Sequence, residues 1–408
     1  MLKQSCVIAG ASHAGVQLAL SMRQGGWEGR ILMVGEEATL PYHRPLLSKD
    51  VLAGTKSLEQ SLIRPAAVLE KANIELQLGQ RVEAVNRTDR RLHLSDGSSL
   101  AYDKLALTLG SRARTIPLTG SDKTGVFYFR TISDVQRIGA LISKGKRAVI
   151  VGGGYIGLET AAVMRKLGLN VTVLEALPRV LQRVTAPAVS TFYERIHLEE
   201  GVKIITNAVV ESIEGENQVE SVHLSNGTTC EADLVIIAVG ILPNTALATD
   251  AGLETEDGIS VDEFARTSDH NIVAAGDCTC HFNPIYQRKV RLESVQNATD
   301  QAKIAAATLC GKLEPYSALP WFWSDQYDVK LQIAGLSEGH DQVIVRGNPD
   351  EGRSFAVFYL AEDRLLAVDA INRSAEFMLG KKSLLLGAAV DKQRLSDDSI
   401  AVRELFEI

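Results

Sequence analysis

The sequence predicts an α/β protein made of two similar strand–turn–helix–strand units and a strand-rich α+β end. Three observations point there. A buried-strand run, Cys6–Ala9, leads into the glycine-rich turn Gly10-Ala11-Ser12-His13-Ala14-Gly15 and then a run of helical spacing, Val16–Arg23. The same order returns at 147–159, with Gly152, Gly154 and Gly157 at the turn. From Lys330 onward, short apolar runs with strand spacing dominate.

In the first unit a second buried run, Ile31–Val34, follows the helix and ends at Glu36. A helix N-terminus offers backbone N–H groups to a pyrophosphate, and the acid at the end of the second strand can hold a ribose hydroxyl. The turn is a variant of G-x-G-x-x-G with Ser12 at its middle position, and a glycine-rich turn that binds nothing is the alternative for this copy alone. Pro41-Tyr42-His43-Arg44-Pro45-Leu46-Leu47-Ser48-Lys49 comes next. Its two prolines predict an extended stretch before a helix starts near Ser48. Arg44 and Lys49 are either solvated charges or cofactor contacts. Between Ile74 and Leu107 the runs shorten and alternate. Leu92–Leu94, the turn Ser95-Asp96-Gly97-Ser98 and Leu100 read as a hairpin, and Asp103–Leu109 as a buried strand.

The second unit carries the complete fingerprint. Gly152 makes the turn, Gly154 admits the pyrophosphate, and Gly157 lets helix pack on strand. The strand 170–174 ends at Glu175, whose carboxylate suits a ribose 2′-hydroxyl and repels a 2′-phosphate. NADH is therefore favoured over NADPH, although Arg179 and Arg183 follow closely and keep a phosphate partner open. Two such units predict two dinucleotide sites; the alternative is a duplication with one dead site.

Further on, Val219–Leu224, the turn Ser225-Asn226-Gly227-Thr228 and Glu231–Val239 repeat the hairpin theme and lead to Gly240. A strand at 271–275 ends in Gly276-Asp277, which could be an ordinary turn. Glu293–Leu309 reads as a helix capped by Ser294, with alanines allowing close packing. Trp321-Phe322-Trp323-Ser324-Asp325-Gln326 holds two of the three tryptophans, and an aromatic core cluster is its plain reading. The strand-like runs Leu331–Ala334, Val343–Val345, Phe355–Leu360 and Arg364–Val368 follow, and then a helical run around Leu384-Leu385-Leu386.

Length and composition bound the rest. A chain of 408 residues with 45% hydrophobic content is long enough for two or three domains with sizeable cores. A net charge of −7 without a long basic run argues against a nucleic-acid partner. No apolar stretch reaches the ~20 residues of a membrane span, and the first strand begins at once, without a signal peptide, so a cytoplasmic protein is expected. The five cysteines are Cys6, Cys230, Cys278, Cys280 and Cys310; none forms C-x-x-C or a zinc set, so no metal site is expected. A monomer or weak dimer is expected.

Taken together, these residues resemble one family along essentially the whole chain: the FAD-dependent, NADH-dependent ferredoxin reductases that serve bacterial oxygenases. The resemblance rests on His43–Lys49, Val151–Glu159, Ala274–Cys278, Arg291–Ala298 and, most specifically, Trp321–Tyr327. It departs at Arg44-Pro45-Leu46, where many relatives have two consecutive prolines, and at Ser12, where relatives also vary.

The resemblance implies two Rossmann-like dinucleotide-binding domains in a glutathione-reductase-like arrangement, with a C-terminal α+β domain. The FAD domain would be split, 1–112 and 245–322. The NADH domain would be 113–244, and the C-terminal domain, 323–408, would cover the flavin face. Gly10, Ser12, Ala14 and Gly15 would hold the FAD pyrophosphate and Glu36 its ribose. Arg44, Lys49, Val82 and Arg130 would contact FAD, Lys49 near flavin N5. Asp277 would hold the ribitol and phosphate end, and Val295 the pyrimidine edge. Gly152, Gly154, Ile156, Gly157 and Gly240 would receive NADH, with Glu175 on its ribose and Arg183 on its phosphate side. Glu159 would lie near the nicotinamide and Trp323 by the isoalloxazine, where ferredoxin docks.

The implied activity is hydride transfer from NADH to FAD, then single-electron transfer to a [2Fe–2S] ferredoxin that feeds an oxygenase, with a cytochrome monooxygenase as the expected terminal enzyme. A Lys49–Glu159 pair would let the lysine stabilise reduced flavin while the glutamate holds the lysine. Disulfide-reducing relatives carry a cysteine pair on the segment occupied here by Arg44–Lys49, and oxidases and peroxidases a single one; both are missing, so electrons should leave from the flavin directly. Arg288, Lys289, Arg291, Lys330, Lys381 and Lys382 are candidates for a basic patch that steers an acidic ferredoxin. A rubredoxin reductase or another NADH dehydrogenase of the same fold is the alternative, and a flavin-bound redox sensor is a third class.

Overall fold

The computed structural model describes residues 4–406. The first three and last two residues, at the outer limits of the expected FAD and C-terminal domains, lie outside the described residues. The chain folds as two compact units: Met1–His43 with Ser57–Arg112 and Leu242–Pro320, and Arg44–Lys56 with Ala113–Ile241 and Trp321–Ile408.

The first unit is built on a five-stranded parallel sheet, in the order Ile272–Ala274, Lys104–Leu107, Cys6–Ala9, Ile31–Gly35, Ile74–Leu78. Its strands are apolar on both faces because both are covered. Cys6 and Ile8 face a core shared with helices His13–Gln24 and Val295–Leu309. Val7 and Ala9 face the opposite core, which Val85, Leu92 and Leu94 of a three-stranded antiparallel sheet help to fill. The hairpin read from Ser95–Ser98 joins Arg91–Leu94 to Ser99–Ala101, with Leu92 opposite Leu100. The Ser294 hydroxyl caps the second helix by accepting from Asn297 N at 3.0 Å.

The second unit repeats the plan. Its parallel sheet runs Lys203–Ile205, Asn170–Leu174, Arg147–Val151, Leu234–Ile237, Val126–Tyr128. Val149 and Val151 pack towards a three-stranded antiparallel sheet whose hairpin, Ser221–Leu224 with Thr229–Glu231, turns at Ser225–Thr228. The C-terminal end is a five-stranded antiparallel sheet, in the order Trp321–Gln326, Val329–Gly335, Arg364–Ile371, Phe355–Ala361, Gln342–Gly347, with helix Ser374–Leu386 on it.

One local reading is corrected. The segment around Pro45 is not extended up to Ser48: a 3₁₀ turn already covers Arg44–Leu46 and a π-helical turn covers Leu47–Val51. Pro45 sits in the first turn of a helical segment, where its missing N–H has no intrahelical partner to lose.

Candidate functional site

In the first fingerprint, Gly10 has φ +118°, and a Cβ there would lie 2.1 Å from Thr108 O. A Cβ on Gly15 would lie 2.1 Å from Gly10 O. Close strand-to-helix packing therefore demands both glycines. The middle position has no such demand: Ser12 is extended at φ −140°, and its hydroxyl does not cap the helix. With no side-chain cap and no acid in the first turn, helix His13–Gln24 keeps its N-terminus available to an anion. The Gly276-Asp277 turn comes to the same place, since a Cβ on Gly276 would lie 3.3 Å from the Ala14 Cβ. Gln301 fixes that turn by accepting from Gly276 N at 2.8 Å, and Asp277 accepts from Ser111 Oγ at 2.8 Å. Glu36 stands exposed just past Gly35, and Gly10 N donates to Val34 O at 2.9 Å, so the acid and the turn share one sheet edge. Gln80 N donates to Gly35 O, which brings the start of Val82–Asn86 back to that edge. Val295 is the first residue of its helix and half-buried.

The second fingerprint repeats this geometry. A Cβ on Gly152 would lie 2.4 Å from Ala238 O, and one on Gly157 would lie 2.1 Å from Gly152 O. Nothing stands within 4 Å of where a Gly154 Cβ would be. Packing does not explain that glycine; the open space leaves room for a pyrophosphate to approach the backbone. Helix Tyr155–Lys166 likewise has no side-chain cap and no acid in its first turn. Glu175 is already oriented: its Oε2 accepts from Gly153 N at 2.7 Å and its Oε1 from Leu177 N at 2.8 Å. Each oxygen keeps a further lone pair for a ribose hydroxyl. Ile156 is 36% exposed on the first turn of the helix, an apolar side chain left for a ligand to cover. Gly240 is left-handed at φ +102° with open space around it. The two arginines after Glu175 part company. Arg179 donates to Thr185 O at 2.8 Å and Ser190 Oγ at 2.6 Å and is committed to its own loop, whereas Arg183 is exposed.

A third cluster lies within the second unit. Lys49 Nζ is 2.8 Å from Glu159 Oε2, with side-chain exposures of 15% and 5%. Lys49 occupies a non-helical conformation, φ −125° and ψ −111°, inside the π turn. Two hydroxyls complete the carboxylate's shell: Ser48 Oγ donates to Oε2 and Ser324 Oγ to Oε1, each at 2.7 Å. A buried charge needs such partners. Arg44 donates to Arg130 O at 3.0 Å. Strand Trp321–Gln326 lies along helix Tyr155–Lys166 in matching steps. Phe322 packs against Tyr155 with tilted rings 4.9 Å apart, and Ser324, two residues on, meets Glu159, four residues on. Two strand residues and four helix residues both span about 6 Å. Trp321 and Trp323 take the other face, with ring centroids 5.6 Å apart, half-exposed rather than buried in a core.

Sequence reasoning missed Ser48, Ser324, Gln326 and His197. The two serines and Gln326 lie inside motifs whose sequence signal comes from their charged and aromatic members. His197 did leave a signal: with Val189, Phe192, Tyr193 and Ile196 it falls on the apolar stripe of helix Pro187–Glu199. The expected basic patch is also reduced. Lys289 is ion-paired with Glu256, and Arg291 with Glu293 and, at 3.1 Å, with Asp257. Lys381 lies 5.2 Å above the Trp321 ring.

All five cysteines are free thiols. Burial pushes the Cys278 thiol up to about 12 and that of Cys6 higher still, so neither is a ready nucleophile. Among the described residues no group of His, Cys, Asp and Glu could hold a metal ion. No helix among them is long and apolar enough to cross a membrane.

Comparison with known proteins agrees with this geometry. Residues 4–302 match the pyridine nucleotide-disulphide oxidoreductase family and residues 321–406 the reductase C-terminal family. The chain is 44% identical over 409 residues to putidaredoxin reductase of Pseudomonas putida, covering 98% of this chain and 96% of that protein. It is 42% identical over 403 residues to the 5,5′-dehydrodivanillate O-demethylase ferredoxin reductase subunit of Sphingobium sp., covering 98% of both. A crystal structure of a covalent putidaredoxin reductase–putidaredoxin complex superposes with a TM-score of 0.96 at 43% identity, covering 99% of this chain and 98% of that one.

Proposed function

This chain belongs to the pyridine nucleotide-disulphide oxidoreductase family, and from that premise we propose that it is an FAD-dependent NADH:ferredoxin reductase whose [2Fe–2S] ferredoxin feeds an oxygenase. The observation that carries this reading is the Lys49–Glu159 pair, clamped by two hydroxyls on a segment that has no cysteine. The relatives reported above are reductases of electron carriers and oxygenase systems, in keeping with it.

We assign FAD to residues 1–112 and 245–322, NADH to 113–244, and the ferredoxin-side cover to 323–408. FAD, when bound, takes two electrons from NADH and releases them one at a time. The chain's part is to bind and to set the local field. The N-terminus of helix His13–Gln24 holds the FAD pyrophosphate through Gly10, Ser12, Ala14 and Gly15, and Glu36 its ribose. Asp277, Val82, Val295, Arg44 and Arg130 fix the remainder of that cofactor. The N-terminus of helix Tyr155–Lys166 does the same for NADH, with Gly152, Gly154, Ile156, Gly157, Gly240 and Arg183. Glu175 accepts the ribose 2′-hydroxyl and repels a 2′-phosphate. Lys49 supplies positive charge towards the reduced flavin, Glu159 keeps that ammonium in place, and Trp323 is the aromatic neighbour of the isoalloxazine. A cytoplasmic location suits five free cysteines.

The test is turnover with purified carriers. NADH-driven reduction of cytochrome c through [2Fe–2S] ferredoxins of oxygenase systems is expected. Turnover with rubredoxin and with none of those ferredoxins would replace this reading with the rubredoxin one.

A further inference from the structure

The hydrogen bonds that reach Glu159 do not stop at Ser324. Gln326, two residues further along the same strand and 1% exposed, donates from Nε2 to Ser324 Oγ at 3.3 Å. His197 Nε2 lies 2.8 Å from Gln326 Oε1, and Tyr327 Oη lies 3.2 Å from His197 Nδ1. Ser324 and His197 are fully buried, so this seam runs through the interior of the second unit from half-buried Tyr327 to the Lys49–Glu159 pair.

The charge on Glu159 fixes the direction of every bond in the seam. An ionised carboxylate only accepts, so Ser324 gives it its one proton. The Ser324 oxygen then accepts from the Gln326 amide nitrogen, and the amide oxygen faces His197. His197 must therefore carry its proton on Nε2. Burial lowers the pKa of His197 to about 4, which keeps the ring neutral. A neutral imidazole has a single N–H, so Nδ1 accepts and Tyr327 donates. Every donor points towards Glu159. The seam does not conduct protons, because a glutamine amide would have to pass through an imidic acid form to relay one. What it does is hold an orientation.

We propose that Ser324, Gln326 and His197 are positioning residues that keep the Glu159 carboxylate aimed at Lys49, and so set the rate at which NADH reduces the flavin. This rests on the roles assigned above to Lys49 and Glu159. Ser48 holds the other carboxylate oxygen and completes the clamp.

The test uses the FAD-loaded enzyme and three variants. Gln326→Met keeps side-chain length and removes both polar atoms. Ser324→Ala removes the last donor. Tyr327→Phe keeps the ring, over which Lys166 Nζ sits at 5.6 Å, and removes only the outermost donor; it protects the test if a buried variant fails to fold. The first readout, taken without NADH, is the ¹⁵N spectrum of His197. The wild type and Tyr327→Phe, in which Gln326 Oε1 still accepts, are expected to show the Nε2–H tautomer alone at neutral pH, and Gln326→Met to show a mixture with Nδ1–H. The second readout is stopped-flow flavin reduction. Ser324→Ala is expected to be roughly tenfold slower at saturating NADH, the size of one hydrogen bond to a charged group, and Gln326→Met about threefold to tenfold slower, the size of a neutral one, with the Kd for NADH within about twofold. An Nδ1–H tautomer in the wild type or in Tyr327→Phe, or a wild-type rate in Gln326→Met, overturns the proposal. Neither readout involves ferredoxin, so a failure of the ferredoxin reading stays distinguishable from a failure of this one.

Discussion

Lys49 is the residue on which the electrostatic account turns. Its ammonium has one carboxylate partner, Glu159, at 2.8 Å, and little solvent around it. Lys49→Met removes the charge, keeps most of the length and leaves Glu159 with its two hydroxyl donors. Flavin reduction by NADH is expected to slow by about 10–100-fold in stopped flow, the range of a charge-assisted hydrogen bond expressed as a rate; an unchanged rate would remove Lys49 from the mechanism. A second residue reports on folding rather than on chemistry. His281 is 3% exposed, packs 5.0 Å from the Tyr316 ring, and neither of its ring nitrogens has a hydrogen-bond partner among the described residues. Burial lowers its pKa to about 4. The unfolded chain therefore binds this proton more readily, and the stability this group contributes is lost as the pH falls from about 6.5 towards 4. His281→Phe should gain on the wild type by about 2–3 kcal/mol over that interval. Urea unfolding of both proteins at several pH values measures it, and a pH-independent difference would contradict it.

The C-terminal segment offers a test at the scale of elements. Arg346, on strand Gln342–Gly347 and 1% exposed, donates to the carbonyls of Asp397 and Ile400 and lies 3.4 Å from Glu376. Arg373 closes the network on Glu376 at 3.1 Å and on Asp398 at 3.0 Å. Arg346→Met strips two carbonyls of their donor and leaves Glu376 half-compensated, at a cost of about 3 kcal/mol. Earlier proteolysis within 390–406 and a lower urea midpoint are expected; a protease-resistant tail would show that the network is ornamental to docking. Elements were legible in the sequence where their signal is local. The Asp96-Gly97 and Asn226-Gly227 turns declare their hairpins, and Ser294 declares its helix. The π turn at Leu47–Val51 was not legible, because its conformation is set by the packing that brings Ser48 and Lys49 to Glu159. The same holds for Ser324 and Gln326. Strand alternation gives them a common face, but nothing short of the tertiary register says that this face meets Glu159 and His197.

For the whole molecule, charge and electron count are the quantities that matter. The net charge is −7, so a ferredoxin that is itself acidic would need a local basic patch to attract it. With Lys289 and Arg291 held by neighbouring acids, Lys330, Lys381 and Lys382 on the second unit would carry more of that task. Ferredoxin turnover is expected to fall as ionic strength rises, and a flat salt dependence would remove steering by these lysines. The two fingerprints were legible because each glycine answers a steric demand within its own strand–turn–helix unit, and because the unit occurs twice. The central claim is that electrons pass from NADH through flavin alone to a one-electron carrier, and anaerobic titration tests it most directly. One equivalent of NADH per FAD should bleach the flavin fully. Two equivalents of oxidised [2Fe–2S] ferredoxin should then be reduced as the yellow colour returns. A need for two equivalents of NADH, as a dithiol acting in series would impose, or a bleached flavin that ferredoxin leaves unchanged, would contradict it.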